Sequence, residues 1–382
     1  MYFTDDSLLP ENQDPLMITA APYGPFFMPE DYPGQVPVTW NEQVQIAKDC
    51  YNAGASILHI HVRDPKTGHI SKNFAEYNDQ IGRLREAVPK MVLQVGGSIS
   101  LSPPPGATAA KWSGYDTRHM LTEIDPKPDQ ITMTCCSTSA DLTCVVDPAD
   151  LEGTHMADPK VRWAYANMVT DATPEFYIEH LKRLKEHRIQ PYFALTSVHQ
   201  LEQVERLIRF GIYKGPLNGF FSMAGGGAVG VNPFDWMELI RRTPHGSKWT
   251  YQTVFRFSWP LAGFAIALGQ HTRAGIEDNL WDAQKGKHLT SVQMVEKHVR
   301  MAQEVGRKIA SGEDARRLLK IGVWYETVEE TLFNLGLPPN RAKGQTGSVL
   351  YPTDGKLPSQ KPLGSDGHPL AGHMSVAAGA NG

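Results

Sequence analysis

Between residues 16 and 310 short apolar runs alternate with amphipathic segments about eight times, a pattern that limits the possible folds more than any other feature of the chain. The apolar runs at 16–21, 56–63 (stopped by Asp64-Pro65), 91–95, 130–135, 192–196, 217–223, 249–257 and 271–276 read as strands buried on both faces, which need no polar alternation. Helices are expected between them. Thr39-Trp40-Asn41-Glu42 is a capping box, Thr173-Pro174-Glu175 is a second start signal, and further helices are predicted near 74–88, 115–124, 198–210, 233–242, 260–268 and 291–310. About eight strand-then-helix units close a parallel (β/α)8 TIM barrel whose working face lies at the strand C-termini. An open doubly wound sheet is the alternative, but no Gly-x-Gly-x-x-Gly turn follows the first strand. The barrel is expected over residues 1–334. A Pro/Gly-rich tail, an extended arm or disordered, is expected over 335–382, where Pro338, Pro339, Pro352, Pro358, Pro362 and Pro369 interrupt a stretch poor in large apolar residues.

Bulk properties exclude several classes of partner. The net charge of −4 is spread without blocks of like sign, which argues against nucleic acid and anionic membranes. No apolar stretch is long enough to span a bilayer and the N-terminus has no basic flank, so a cytoplasmic location is expected. Cys50, Cys135, Cys136 and Cys144 form neither a disulfide framework nor a paired zinc motif and read as small core residues.

Two stretches carry chemistry. In Leu58-His59-Ile60-His61-Val62-Arg63-Asp64-Pro65 the two imidazoles are two residues apart and project from one face of a strand, a metal-ligand geometry. The bland account packs one histidine and lets the other bond a backbone carbonyl. At the end of the last strand, Arg273-Ala274-Gly275-Ile276-Glu277-Asp278-Asn279 concentrates charge in an apolar context. Two histidines and one carboxylate make a familiar catalytic zinc set, and a second carboxylate held by an arginine is free to take a proton. The plain alternative is a surface ion-pair cluster.

Together these two stretches resemble the signature of the β-keto acid cleavage enzymes. Ile18-Thr19-Ala20-Ala21, the strand ending in Gly96-Gly97, Arg118, the Lys127-Pro128-Asp129 approach to Thr132, and Arg256 before Pro260 follow in the expected order over about residues 16–320. The resemblance implies a (β/α)8 barrel assembled as a tetramer or dimer. It implies one zinc on His59, His61 and Glu277, with Asp278 as base oriented by Arg273. The reaction it implies joins a β-keto acid to acetyl-CoA and yields acetoacetate and a new CoA thioester. Zinc would polarise the keto oxygen and Asp278 would take the proton between ketone and carboxylate. Tyr23, Phe26, Gly97, Ser98, Thr132, Thr134 and Arg256 are the expected substrate contacts. The amides of Gly226 and Gly227, in the loop Gly225-Gly226-Gly227-Ala228-Val229-Gly230, are expected to meet a carboxylate or a CoA phosphate, with a bare flexible loop as the equal alternative.

The departures from the family pattern are informative. Phe26 stands where an acidic residue serves an amino-substituted substrate, Ala194 where a second glutamate is expected, Gly96 for a serine and Thr134 for an asparagine. Losing two acids removes partners for an ammonium group, so a neutral, aromatic or bulky apolar acyl portion is expected. Two alternatives stay open: a CoA-independent metal-dependent hydrolase or aldolase on the same barrel, and a non-catalytic homologue. An amidohydrolase is disfavoured, because its pair would follow the first strand and further histidines would replace Thr196 and Met223.

Overall fold

The computed structural model describes residues 1, 3–103 and 106–341. Ten strands are present among them: β1 Ile18–Ala20, β2 Ile57–Ile60, β3 Val92–Val95, β4 Gln130–Met133, β5 Thr138–Ala140, β6 Met168–Thr170, β7 Gln190–Leu195, β8 Asn218–Ser222, β9 Lys248–Gln252 and β10 His271–Ala274. Eight of these close a parallel barrel in the order β1-β10-β9-β8-β7-β4-β3-β2. The expected (β/α)8 barrel is therefore the architecture. The barrel helices are α1 Trp40–Asn52, α2 Phe74–Ala87, α3 Tyr115–His119, α5 Pro174–Glu186, α6 Val198–Arg209, α7 Pro233–Arg242, α8 Ser258–Ala267 and α9 Ser291–Glu304, with α4 Pro159–Ala166 outside the repeat. Helices α10 Gly312–Leu318 and α11 Val328–Leu335 follow.

The continuous apolar reading of the strands conceals an alternation. Leu58 and Ile60, Leu93 and Val95, and Ile131 and Met133 join the main apolar cluster, whereas His59, Gln94, Gln130 and Thr132 occupy the alternate positions inside the barrel. Helix α1 starts as expected: Thr39 Oγ1 accepts from Glu42 N, and Glu42 Oε2 accepts from Thr39 N at 2.8 Å. At the N-terminal mouth Met17, Ile57, Val92, Tyr192, Ala315 and Leu319 form a second cluster, so α10 and the residue after it plug the barrel.

Several boundaries differ from expectation. The strand predicted to 257 stops at Gln252, because Phe255 takes φ +59° and turns the chain into α8. Helix α9 ends at Glu304 rather than 310, since Gly306 at φ +75° reverses the chain and Ala310 N then donates to Leu16 O at 2.9 Å. Residues 134–172 form an excursion between β4 and β7 that holds the antiparallel pair β5–β6 and α4, which the apolar pattern did not reveal. Cys50 and Cys135 are core residues, but Cys136 is half-buried and Cys144 is exposed, its Sγ donating to Ala224 O. Leu335 closes α11, and Arg209 Nη1 donates to Pro338 O and Asn340 Oδ1 at 3.1 Å each. The remainder of the expected tail, 342–382, lies outside the described residues. Among the described residues no helix is long and apolar enough to cross a membrane.

Candidate active site

Strands β2 and β10 bring the two charged stretches together at the C-terminal mouth of the barrel. His59 is the third residue of β2, His61 lies one residue beyond its end, and Glu277 sits three residues past β10. His59 Nε2 is 3.3 Å from His61 Nε2, and Glu277 Oε1 lies 3.5 and 3.6 Å from the two nitrogens. A tetrahedral cation with bonds of about 2.0–2.1 Å sets its ligand atoms roughly 3.3–3.4 Å apart, so the three atoms have the spacing of a zinc ligand set. The protonation pattern also suits a cation. His59 Nδ1 donates to Gln94 Oε1 and His61 Nδ1 donates to Ile99 O, both at 2.9 Å, so each Nε2 turns a lone pair inward. Burial holds His59 well below the usual histidine range and His61 down at about 3, so both rings are neutral and their contacts with Glu277 are not ion pairs.

Two glycines allow this convergence. A Cβ on Gly96 would sit 2.1 Å from His61 Nε2, and one on Gly24 would sit 2.0 Å from Glu277 Cγ. The departure at 96 thus gives the imidazole its room.

The adjacent carboxylates divide their partners. Arg273 Nε and Nη2 donate to Asp278 Oδ2 and Oδ1 at 2.6 and 2.9 Å, Gln252 Nε2 donates to Asp278 Oδ1 at 2.9 Å, and Arg273 Nη2 also lies 2.6 Å from Glu277 Oε1. Glu277 Oε2 is buried without a partner. One guanidinium therefore faces two carboxylates, and the site gathers two imidazole lone pairs and Glu277 Oε1 while leaving Glu277 Oε2 buried without a partner, a donor set that fits a divalent cation. Burial raises Asp278 to about 6 against the pull of Arg273, and it also raises Glu277.

A cavity of about 130 Å³ opens from this group. His59, His61, Arg273, Glu277 and Asp278 are its only charged or imidazole-bearing lining residues among those described, and Phe26, Leu101, Trp112, Leu142, Met168 and Phe220 supply apolar wall. Of the expected substrate contacts, Phe26, Ser98, Thr132 and Thr134 line it, as do the departure positions Gly96 and Ala194. Gly97 stands behind the wall, its N donating to Thr132 Oγ1 at 2.7 Å. Tyr23 is fully buried off the cavity with its hydroxyl unpartnered. Arg256 is not brought to the cavity: Asp150 Oδ2 accepts from its Nε at 2.6 Å and Asp147 Oδ2 lies 3.2 Å from its Nη2, which turns it to a neighbouring hollow. Gly226 and Gly227 are also elsewhere. They pack on the excursion, with Gly226 O accepting from Asp141 N, because a Cβ on either would meet the backbone of Asp141 or Ser139.

Some contributors escaped sequence reasoning. Gln94 and Gln252 orient a histidine and a carboxylate, yet each is a lone amide in an apolar run. Trp112, Leu142 and Met168 come from segments with no strand or helix signal of their own. Arg63 is buried with Nη1 donating to Gly68 O at 2.5 Å and Nη2 to Gly24 O and Phe27 O at 2.5 and 2.8 Å. That tie holds the loop carrying Phe26 against the site, and its signal was the motif itself, where an arginine follows His-x-His by two residues.

Comparison with known proteins places the chain in a family. The 3-keto-5-aminohexanoate cleavage enzyme of Acetoanaerobium sticklandii is 27% identical over 310 residues, covering 80% of this chain and 98% of that protein. The 3-dehydrocarnitine:acetyl-CoA trimethylamine transferase of Rhizobium meliloti is 25% identical over 298 residues, covering 75% and 90%. The apo structure of ObcA shares the fold, with a TM-score of 0.55 at 13% identity over 76% of this chain and 66% of that one, just under two thirds of its length. The family model described as beta-keto acid cleavage enzyme matches residues 15–321, and the chain belongs to that family.

Proposed function

We propose that this protein is an acyltransferase that condenses a β-keto acid with acetyl-CoA and cleaves a carbon–carbon bond, giving acetoacetate and an acyl-CoA. The names of its relatives support the general reaction, since one is a keto-acid cleavage enzyme and another transfers a group with acetyl-CoA. The finer reading concerns the acyl part, which is neutral and aromatic or bulky. The observation that carries it is the cavity: beyond His59, His61, Arg273, Glu277 and Asp278 its lining is uncharged, with Phe26, Leu101, Trp112, Leu142 and Met168 as apolar wall beside hydroxyl side chains such as Thr134 and Thr170, and with no further carboxylate for an ammonium group.

His59, His61 and Glu277 would hold a zinc ion, which when bound would serve as a Lewis acid toward the keto oxygen. Asp278 is the base. Its carboxylate takes the C2 proton between ketone and carboxylate, and Arg273 and Gln252 hold it in place for that transfer. The C2 carbanion attacks the acetyl thioester and releases CoA thiolate. The thiolate then adds to the original keto carbon, the bond between that carbon and C2 breaks so that the original acyl group leaves as the new CoA thioester, and C2 keeps the electron pair and takes back the proton held by Asp278 to give acetoacetate.

The test is turnover of benzoylacetate-like keto acids with acetyl-CoA, followed as new thioester, against amino-substituted keto acids. Aryl preference supports the reading and amine preference defeats the acyl assignment. Undiminished turnover without acetyl-CoA would make the protein a hydrolase instead. Assembly as a dimer or tetramer is part of the same reading, and light scattering measures it.

A further inference from the structure

Register sets one polar residue from each of four neighbouring strands side by side inside the barrel: His59 pairs with Gln94, Gln94 with Gln130, and Gln130 with Gln190. Their side chains form one directed chain. Gln190 Nε2 donates to Leu319 O and Lys320 O at 2.9 and 3.1 Å. Those main-chain oxygens only accept, so the Gln190 amide must turn its NH2 toward them and its oxygen toward Gln130. Gln130 Nε2 donates to that oxygen at 2.7 Å, Gln94 Nε2 donates to Gln130 Oε1 at 2.9 Å, and Gln94 Oε1 is left to accept from His59 Nδ1. Asn218 Nδ2 reinforces the direction, donating to Leu319 O at 2.7 Å and Gln190 Oε1 at 3.3 Å. All three glutamines are buried, so water offers no alternative partner.

The direction has two possible outcomes at the site. As found, His59 carries its proton on Nδ1 and its Nε2 lone pair faces the ligand point. Reversed, Gln94 would donate to Nδ1, the proton would sit on Nε2, and at 3.3 Å it would bond His61 Nε2 and close the site to a cation. Reversal would also turn the Gln190 oxygen against two carbonyls. We propose that Gln94, Gln130 and Gln190 are positioning residues that transmit the polarity of the barrel plug to His59 and hold it in the metal-ready tautomer. This rests on the metal site of the proposed function.

The experiment measures zinc affinity of the purified full chain, stripped of metal, by competition with a chromophoric chelator in the absence of substrate. Gln94→Leu, which removes the acceptor at similar volume, is expected to weaken zinc binding about 10–100-fold. Gln94→Glu keeps an acceptor for His59 Nδ1 and is expected to bind within about threefold of the native chain. Gln190→Leu, which touches neither imidazole, is expected to weaken binding about 3–10-fold. Zinc bound within about twofold by Gln190→Leu and Gln94→Leu, or Gln94→Glu as weak as Gln94→Leu, overturns the proposal alone. If Gln94→Leu fails to fold, Gln94→Glu and Gln190→Leu decide by the same limits. A native chain that binds no zinc overturns the metal site and the proposal with it.

Discussion

Replacing Arg63 with methionine removes a buried cation whose partners are carbonyls rather than acids. Its guanidinium holds Gly68 O, Gly24 O and Phe27 O at 2.5, 2.5 and 2.8 Å. Each hydrogen bond from a charged donor contributes about 1.5–3 kcal/mol. Against this stands the cost of burying the charge: desolvation pulls Arg63 from 12.5 to about 10, a penalty of roughly 3 kcal/mol. The balance is a net stabilisation of about 3 kcal/mol, and losing it should lower the melting temperature by roughly 6 °C. Function should suffer selectively, because the freed loop carries Phe26, which packs edge-on against Phe27, Tyr165 and Phe255 at one wall of the cavity. Thermal denaturation of Arg63→Met, together with kcat/KM for an aryl and a short aliphatic keto acid, is the assay. A fall in aryl preference of about tenfold is expected, equivalent to about 1.4 kcal/mol. A melting temperature within about 1 °C of the native value with unchanged preference would show that the Arg63 contacts do not hold the Phe26 loop.

Asp278→Asn preserves the shape that Arg273 and Gln252 hold but removes the proton acceptor, so kcat should fall about 10²–10⁴-fold while zinc affinity stays within a few-fold; a loss under about fivefold would remove Asp278 as the base. Trp112→Ala opens the apolar wall, and steady-state kinetics should show KM for an aryl keto acid rising about tenfold with kcat nearly unchanged. Acid should destabilise the fold through His298, which burial lowers to about 4 when folded. The unfolded chain takes up that proton first, so stability present above about pH 6.5 is lost as pH falls toward 4, by roughly 3 kcal/mol. Denaturant melts of His298→Gln across this range should show a shallower acid slope, and an unaltered slope would mean that His298 does not drive the acid loss.

Sequence periodicity reveals the barrel because parallel strands covered on both faces read as unbroken apolar runs, and eight such runs allow few closures. His59 and His61 stand out because two imidazoles interrupt one of those runs at the spacing of a single face. The glutamine chain does not stand out: Gln94, Gln130 and Gln190 are single amides lying 36 and 60 residues apart, and only strand register makes them neighbours. Arg256 shows the converse limit. Its place before Pro260 suggested a site residue, but nothing local marked Asp147 and Asp150 as the partners that hold it away from the cavity. The excursion was hidden for a similar reason, since Thr138-Ser139-Ala140 becomes a strand only by pairing with Met168–Thr170.

In the proposed mechanism one divalent cation joins the second strand to the end of the last. Metal analysis of the purified native chain beside His59→Ala and Glu277→Gln tests it most directly. One zinc per native chain, and substoichiometric zinc in both folded variants, is the predicted result. A native chain free of divalent metal after exposure to zinc, or a Glu277→Gln variant that keeps a full equivalent at native affinity, would contradict it.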